Sequence, residues 1–72
     1  MSTIVIKAPL TGRVWKIVRA VGDHVAIGET LIILESMKME VPVEAQSAGT
    51  IATMHCSEGD PVEEGAILAT LA

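Results

Sequence analysis

The apolar residues of this chain fall into short runs that are separated by glycine-bearing turns. The runs are rich in Val and Ile, and they cover residues 4–6, 14–18, 31–34, 41–43, 51–54 and 67–71. β-Branched residues are typical of strands, and no run has the length or the 3.6-residue period of an amphipathic helix. Turn signals recur at the spacing of a small sandwich or barrel. The pattern therefore predicts an all-β domain.

The chain also repeats itself. At an offset of 37 residues, residues 1–35 match residues 38–72, and all six glycines fall into matched pairs. We expect the glycines in Thr11–Gly12, Val21–Asp23 and Ile27–Glu29 to lie in turns that need a positive φ. Neither half can bury a core alone, so we predict one domain over residues 1–72. Its halves should pack face to face about a pseudo-twofold axis as a flattened sandwich.

The junction of the two halves predicts a tight hairpin. Two strand patterns meet there with almost nothing between them, and only Ser36 and Met37 lie outside the repeat. If Met37 and Lys38 form the loop, Ser36 faces Met39 across the ladder. The same register places the carboxylates at positions 35 and 40 opposite each other.

This hairpin breaks two local rules of stability. Two-residue loops favour Asn-Gly and similar pairs because both positions need a positive φ, which Met37 and Lys38 do not adopt cheaply. Glu35 and Glu40 repel each other across the ladder. Conflicts between local preference and the global fold concentrate at functional sites, so the hairpin is the candidate site.

The sequence Glu-Ser-Met-Lys-Met-Glu at residues 35–40 resembles the biotinylation motif of the biotin carboxyl carrier protein family, in which the lysine between two methionines receives biotin. The resemblance covers essentially the whole chain, including the turns Gly22–Gly28 and Gly59–Gly65. It implies a barrel-sandwich hybrid with the lysine on an exposed hairpin. Because the two halves align without a gap, the chain looks like the thumbless, short biotin/lipoyl attachment proteins.

The resemblance also implies a function. Lys38 would carry covalent biotin that a biotin protein ligase attaches, that a biotin carboxylase charges with CO2 and that a carboxyltransferase unloads, with an acyl-CoA as the expected acceptor. The chain itself would be a carrier and not an enzyme. The other residues of the hairpin would serve recognition: Glu35, Ser36, Met37, Met39 and Glu40.

The composition argues against several classes of binding partner. The net charge of −4 and the single aromatic residue, Trp15, argue against nucleic acid, which needs clustered cations or stacking rings. No apolar run approaches the roughly 18 residues of a membrane span, and the start of the chain does not look like a signal peptide. The lone Cys56 fits a reducing compartment. We therefore expect a cytoplasmic protein that binds neither nucleic acid nor membrane.

Other polar residues have structural interpretations. Asp23 and Asp60 each follow a turn glycine and are expected to stabilise turns. His55 and Cys56 are adjacent on a predicted strand, so their side chains should point to opposite faces and not share a metal. His24 is expected to be a solvated side chain. Glu35 and Glu40 have no pocket in which to act as an acid/base pair, so we predict no catalytic and no metal site.

Two alternative functions share this fold. A lipoyl domain also carries its cofactor on a hairpin lysine, but typically within Asp-Lys-Ala or a similar sequence, whereas Lys38 lies between Met37 and Met39. An unmodified lipoyl-like structural adaptor would carry a long helical hairpin between its halves, for which this chain has no room.

Overall fold

The computed structural model describes residues 3–72, which form two four-stranded antiparallel sheets. The strands in chain order are β1 Ile4–Lys7, β2 Gly12–Ile17, β3 His24–Val25, β4 Thr30–Ser36, β5 Met39–Glu44, β6 Gly49–Met54, β7 Pro61–Val62 and β8 Ile67–Leu71. One sheet has the order β1-β8-β6-β3 and the other β5-β4-β2-β7. The all-β sandwich is therefore confirmed. No helix in residues 3–72 could cross a membrane.

The six apolar runs correspond to the six longer strands, with bounds that differ by up to two residues. The pattern did not predict β3 and β7, which are only two residues long. Each contributes one apolar residue, Val25 or Val62, and a two-residue strand is too short to display an alternation of period two.

The two halves interlock more closely than face-to-face packing of separate halves would require. An offset of 37 residues converts β1, β8, β6 and β3 into β5, β4, β2 and β7, which is the strand order of the second sheet. Each sheet therefore takes two strands from each half. The main-chain hydrogen bonds follow the same symmetry: Gly22 N–H donates to Ile51 O, and Gly59 N–H donates to Val14 O. Neither half supplies a complete sheet by itself.

The core lies between the two sheets and is entirely apolar among the residues described. Its largest fully buried side chains come from both halves: Val14, Val25, Leu31, Ile32, Leu34, Ile51, Leu68 and Leu71. Burying a side chain of this size contributes about 1.5–3 kcal/mol relative to leaving it exposed. The inward side of every longer strand is thus occupied, and the outward side is left free for polar or functional residues.

Four of the six glycines adopt the positive φ expected of turns: Gly22, Gly28, Gly59 and Gly65, at 87° to 95°. The expectation was wrong for Gly12, which begins β2 without a positive φ. A Cβ atom on Gly12 would lie 2.6 Å from the carbonyl oxygen of Glu35. Close approach of two strands explains this glycine.

The aspartates stabilise the turns as predicted. Asp23 Oδ2 accepts a hydrogen bond from the Ala20 amide at 2.9 Å. Asp60 Oδ2 accepts the equivalent bond from the Ser57 amide, also at 2.9 Å. Each carboxylate therefore pairs a backbone donor that the turn would otherwise leave to solvent.

Candidate functional site: the hairpin between β4 and β5

The hairpin between β4 and β5 has the predicted two-residue loop. Ser36 pairs with Met39, and Glu35 pairs with Glu40. Met37 and Lys38 have φ values of 51° and 66°. Both loop residues lie in the left-handed region that a type I′ turn needs and that non-glycine side chains adopt only at a cost of about 1 kcal/mol or more each. The turn is strained at the two positions where the sequence departs from Asn-Gly.

The tip of the hairpin is open to solvent. Met37 is 93% exposed and Met39 is 61% exposed, and Lys38 between them is exposed as well. Two large apolar side chains in water gain nothing from the core, so their presence at this turn has no stabilising explanation within the domain. The lysine amine is accessible to any partner that can enclose the turn.

Below the tip, charged residues form a row across the outer face of the sheet. The register places Arg13 of β2 beside Glu35 of β4, and Glu35 beside Glu40 of β5. All three side chains are exposed. The Arg13 guanidinium donates a hydrogen bond of 2.7 Å to the carbonyl oxygen of Gly59. The two carboxylates are thus presented on one face, immediately below the lysine.

The base of the hairpin is tied to the loop before β2. Ser36 Oγ donates a hydrogen bond of 3.0 Å to the carbonyl oxygen of Thr11. Thr11 Oγ1 in turn accepts a bond of 3.1 Å from the Glu64 amide. The sequence pattern places Ser36 in the hairpin but does not predict its hydrogen bond to Thr11 or its proximity to Gly12. A glycine at the start of a strand is consistent with a close approach of two main chains, but the sequence does not indicate which strand approaches Gly12.

The hairpin presents an exposed primary amine, and its residues 35–40 do not line an enclosed reaction chamber. An open groove of about 680 Å³ lies between β1 and the later part of β5, and none of residues 35–40 lines it. Within residues 3–72, no group of three His, Cys, Asp or Glu side chains could hold a metal ion. The amine can be acylated by another protein, and the hairpin can then present the attached group.

The remaining candidate residues lie apart from the hairpin. His24 is exposed, and its Nδ1 lies 3.1 Å from Thr50 Oγ1. His55 is exposed whereas Cys56 is buried, so the two side chains do point in different directions, although β6 ends one residue before them. Burial raises the pKa of the Cys56 thiol, and the negative charge of Asp60 raises it further. These groups do not join the hairpin in a common site.

Nearly the whole chain matches known proteins. A family model described as biotin-requiring enzyme matches residues 3–71. The chain is 38% identical over 66 residues to the biotin/lipoyl attachment protein of Bacillus subtilis (strain 168), which covers 92% of this chain and 90% of that protein. It is 43% identical over 65 residues to the biotin carboxyl carrier protein of Streptococcus mutans, covering 90% of this chain and 50% of that one.

The fold is similar to that of a segment of a much larger protein. The crystal structure of Kluyveromyces lactis urea carboxylase superposes with a TM-score of 0.94 and 39% identity, covering 100% of this chain and 6% of that chain. The chain thus spans nearly all of a short relative, half of a longer one and a small part of the urea carboxylase chain.

Proposed function

Because this chain belongs to the biotin/lipoyl family of biotin-requiring enzymes and is a non-catalytic biotin carboxyl carrier domain, we propose that Lys38 is the residue that carries its covalent biotin. The observation that carries the proposal is the strained, exposed turn that presents Lys38 between two exposed methionines. The chain has two other lysines, Lys7 and Lys16, and both lie within strands. Their main chains are held in the sheets and cannot be enclosed by a partner as a turn can.

The hairpin fits an amide-linked cofactor. The Lys38 amine would attack the carbonyl carbon of an activated biotin and form an amide bond. The bond between that carbon and the activating group would break, and the activating group would leave. Formation of the amide releases a proton from the amine, and the base that accepts this proton would belong to the ligase. Lys38 contributes reach and accessibility. Bound biotin supplies a nitrogen that holds a carboxyl group for transfer.

The carrier works with the catalytic parts of a biotin-dependent carboxylase. The proposal extends to three separate encounters of the hairpin, with a biotin protein ligase, a biotin carboxylase and a carboxyltransferase whose acceptor is an acyl-CoA. The chemistry of tethering supports this division of work. A tethered group is concentrated near each active site that its linker can reach, so the carrier needs no catalytic group of its own.

The experiment combines the purified domain with a biotin protein ligase, biotin and ATP. We expect the intact mass to increase by one biotinyl group, with the label located on Lys38 by peptide mapping. The matched control is Lys38→Arg, which keeps the charge but lacks an acylatable amine and should remain unlabelled. Label on Lys7 or Lys16 would contradict the proposal. Labelling by a lipoate ligase in place of the biotin ligase would favour the lipoyl alternative.

A further inference from the structure

The outer face of the hairpin sheet carries an apolar patch below the charged row. Ile33 of β4 pairs with Pro42 of β5 on one side and with Lys16 of β2 on the other. The register between Val14 and Lys16 shifts at a bulge, which places Trp15 as an additional residue opposite Ile33. Trp15 is 48% exposed, Pro42 is exposed and Ile33 is half-buried. We call these three residues, Trp15, Ile33 and Pro42, the Trp15 patch.

The internal repeat shows which side chains the fold requires on the outer face of a sheet, because the two sheets have equivalent positions. On the other sheet, the residues equivalent to Trp15 and Ile33 are Ala52 and Thr70, and β6 has the same bulge. The counterpart of Pro42 is Val5, so that position is apolar in both sheets. The same backbone is thus built with an alanine and a threonine at the two positions. The fold does not need the Trp15 ring or the Ile33 side chain on its outer surface.

The surrounding charges show the same asymmetry. Arg13 and Lys16 of the hairpin sheet correspond to Thr50 and Thr53 of the other sheet. Glu35 corresponds to Ala72, so the hairpin face carries two cations, a carboxylate and an aromatic ring where the equivalent positions are threonine and alanine. Aromatic and arginine side chains are enriched in protein interfaces, and an exposed one rarely stabilises the monomer.

The patch is close to the modified turn. Pro42 lies four residues after Lys38 on β5, which corresponds to about 13 Å along a strand at about 3.3 Å per residue. Ile33 lies at the equivalent level on β4, and Glu35 and Glu40 occupy the same face between the patch and the tip. A protein that encloses the tip and extends along this face meets the carboxylates first and the Trp15 patch next.

We infer that this face is the docking surface of the biotin protein ligase, an inference that rests on the proposed modification of Lys38. The unmodified lysine reaches only about 6 Å from its Cα atom, because bond angles shorten an extended chain of five bonds of about 1.5 Å each to this span. The ligase must therefore bring its active site against the hairpin, and its surface meets the adjacent sheet. Later active sites are reached through the longer biotinylated arm, so those enzymes can contact the tip without extending along the sheet. The ligase surface that fits is apolar opposite Trp15 and cationic opposite Glu35 and Glu40.

The test is a steady-state comparison of ligation rates by mass spectrometry. In the double variant Trp15→Ala with Ile33→Thr, the patch is converted to the residues found at the equivalent positions of the other sheet. We expect the ligase KM for this variant to rise at least about fivefold, as for loss of an aromatic interface anchor, with kcat within about twofold. The matched control, Val5→Ala, removes an exposed apolar side chain from the other face and should leave both constants unchanged.

Three outcomes would overturn the inference. The first is a double variant that remains folded and keeps the wild-type KM. The second is an equal loss with Val5→Ala, which would indicate a general effect of surface hydrophobicity. The third is a normal ligation KM with a defect only in the carboxylase reaction, which would assign the face to another enzyme. A wild-type domain that the ligase does not label on Lys38 would instead contradict the proposed function. Circular dichroism melting of each variant separates loss of docking from loss of folding.

Discussion

Ser36 Oγ donates a hydrogen bond of 3.0 Å to the main-chain carbonyl oxygen of Thr11. The bond joins the last residue of β4 to the loop between β1 and β2. Directly beside it, the absence of a side chain on Gly12 lets the start of β2 approach the carbonyl oxygen of Glu35. The exposed tip that carries Lys38 therefore rises from a base that is fixed to a second part of the domain.

Replacing Ser36 with alanine removes this attachment. Because the bond is exposed to solvent, we expect a loss of about 0.5–1 kcal/mol in the free energy of unfolding. The loss should be accompanied by faster amide hydrogen exchange at Met39, the residue paired with Ser36. Ser36→Thr keeps a hydroxyl group and should restore much of the stability. Identical denaturation curves for wild type and Ser36→Ala would show that the bond contributes nothing.

Replacing Gly12 with alanine tests the close approach of the two strands. A Cβ at this position would lie 2.6 Å from the Glu35 carbonyl oxygen, which belongs to a strand and cannot move independently. We expect destabilisation of about 1–3 kcal/mol, as for other insertions into tightly packed regions. At the equivalent Gly49, the Cβ would lie 2.9 Å from the carbonyl oxygen of Ala72, which follows the last strand. Gly49→Ala should therefore be the milder of the two changes in urea denaturation.

Replacing both Met37 and Met39 with alanine should leave the domain as stable as before. The side chains are 93% and 61% exposed, and substitutions at such positions usually change the free energy of unfolding by no more than about 0.5 kcal/mol. Thioether side chains adapt to differently shaped pockets, so the loss should appear in encounters with partner enzymes. We expect slower carboxyl transfer at an unchanged melting temperature. A large fall in that temperature would show that the methionines pack against the domain.

Replacing Met37 with asparagine and Lys38 with glycine should make the domain more stable. Both positions have a positive φ, and Asn-Gly is the pair that a type I′ turn prefers. Relief of strain at the two residues should raise the free energy of unfolding by about 1–2 kcal/mol, since each strained residue costs about 1 kcal/mol or more. Thermal denaturation measures the gain. The variant should be inert toward the ligase, so stability and function would change in opposite directions.

Ionisation of the Cys56 thiol should make the free energy of unfolding depend on pH in the alkaline range. Burial, assisted by the charge of Asp60, raises the pKa of Cys56 in the folded domain. The folded state then holds the thiol proton more tightly than the unfolded state does. The resulting stabilisation is complete below the pKa of an unfolded thiol, about 8.5, and is lost as the pH rises from there through the higher folded value. Urea denaturation from pH 7 to 10 should show this loss, and Cys56→Ala should not.

Much of the fold could be predicted because it depends on local signals. A strand that is buried on one side shows its alternation in its own residues, so Val14 and Leu34 could be recognised as inward positions. The hairpin register follows from the length of the loop, because a loop of two residues leaves Ser36 opposite Met39. The strain at Met37 follows from the same geometry.

The remaining features depend on contacts between distant segments. Periodicity identifies the buried side of β2 but not its neighbours, so the interleaving of the halves was not visible. The sequence alone therefore predicts a turn at Gly12. The carbonyl oxygen that leaves no space for a side chain there belongs to Glu35, 23 residues later in the chain. In the sequence, Trp15 indicates only that the chain lacks a set of stacking rings for nucleic acid. The position of Trp15 beside Ile33 depends on a β-bulge that the sequence does not predict.

The interleaved sheets have a consequence for the origin of the domain. A chain of one half alone would have β1 and β3 without the strands between them, so it could close its sheets only by pairing with a second copy of itself. The present domain has the architecture of a twofold-symmetric dimer whose subunits have been fused. The pairing of β4 with β5 is repeated between β8 and β1, where no turn connects the strands. The lysine turn occupies the point of fusion, which no ancestral subunit would have needed for its own core.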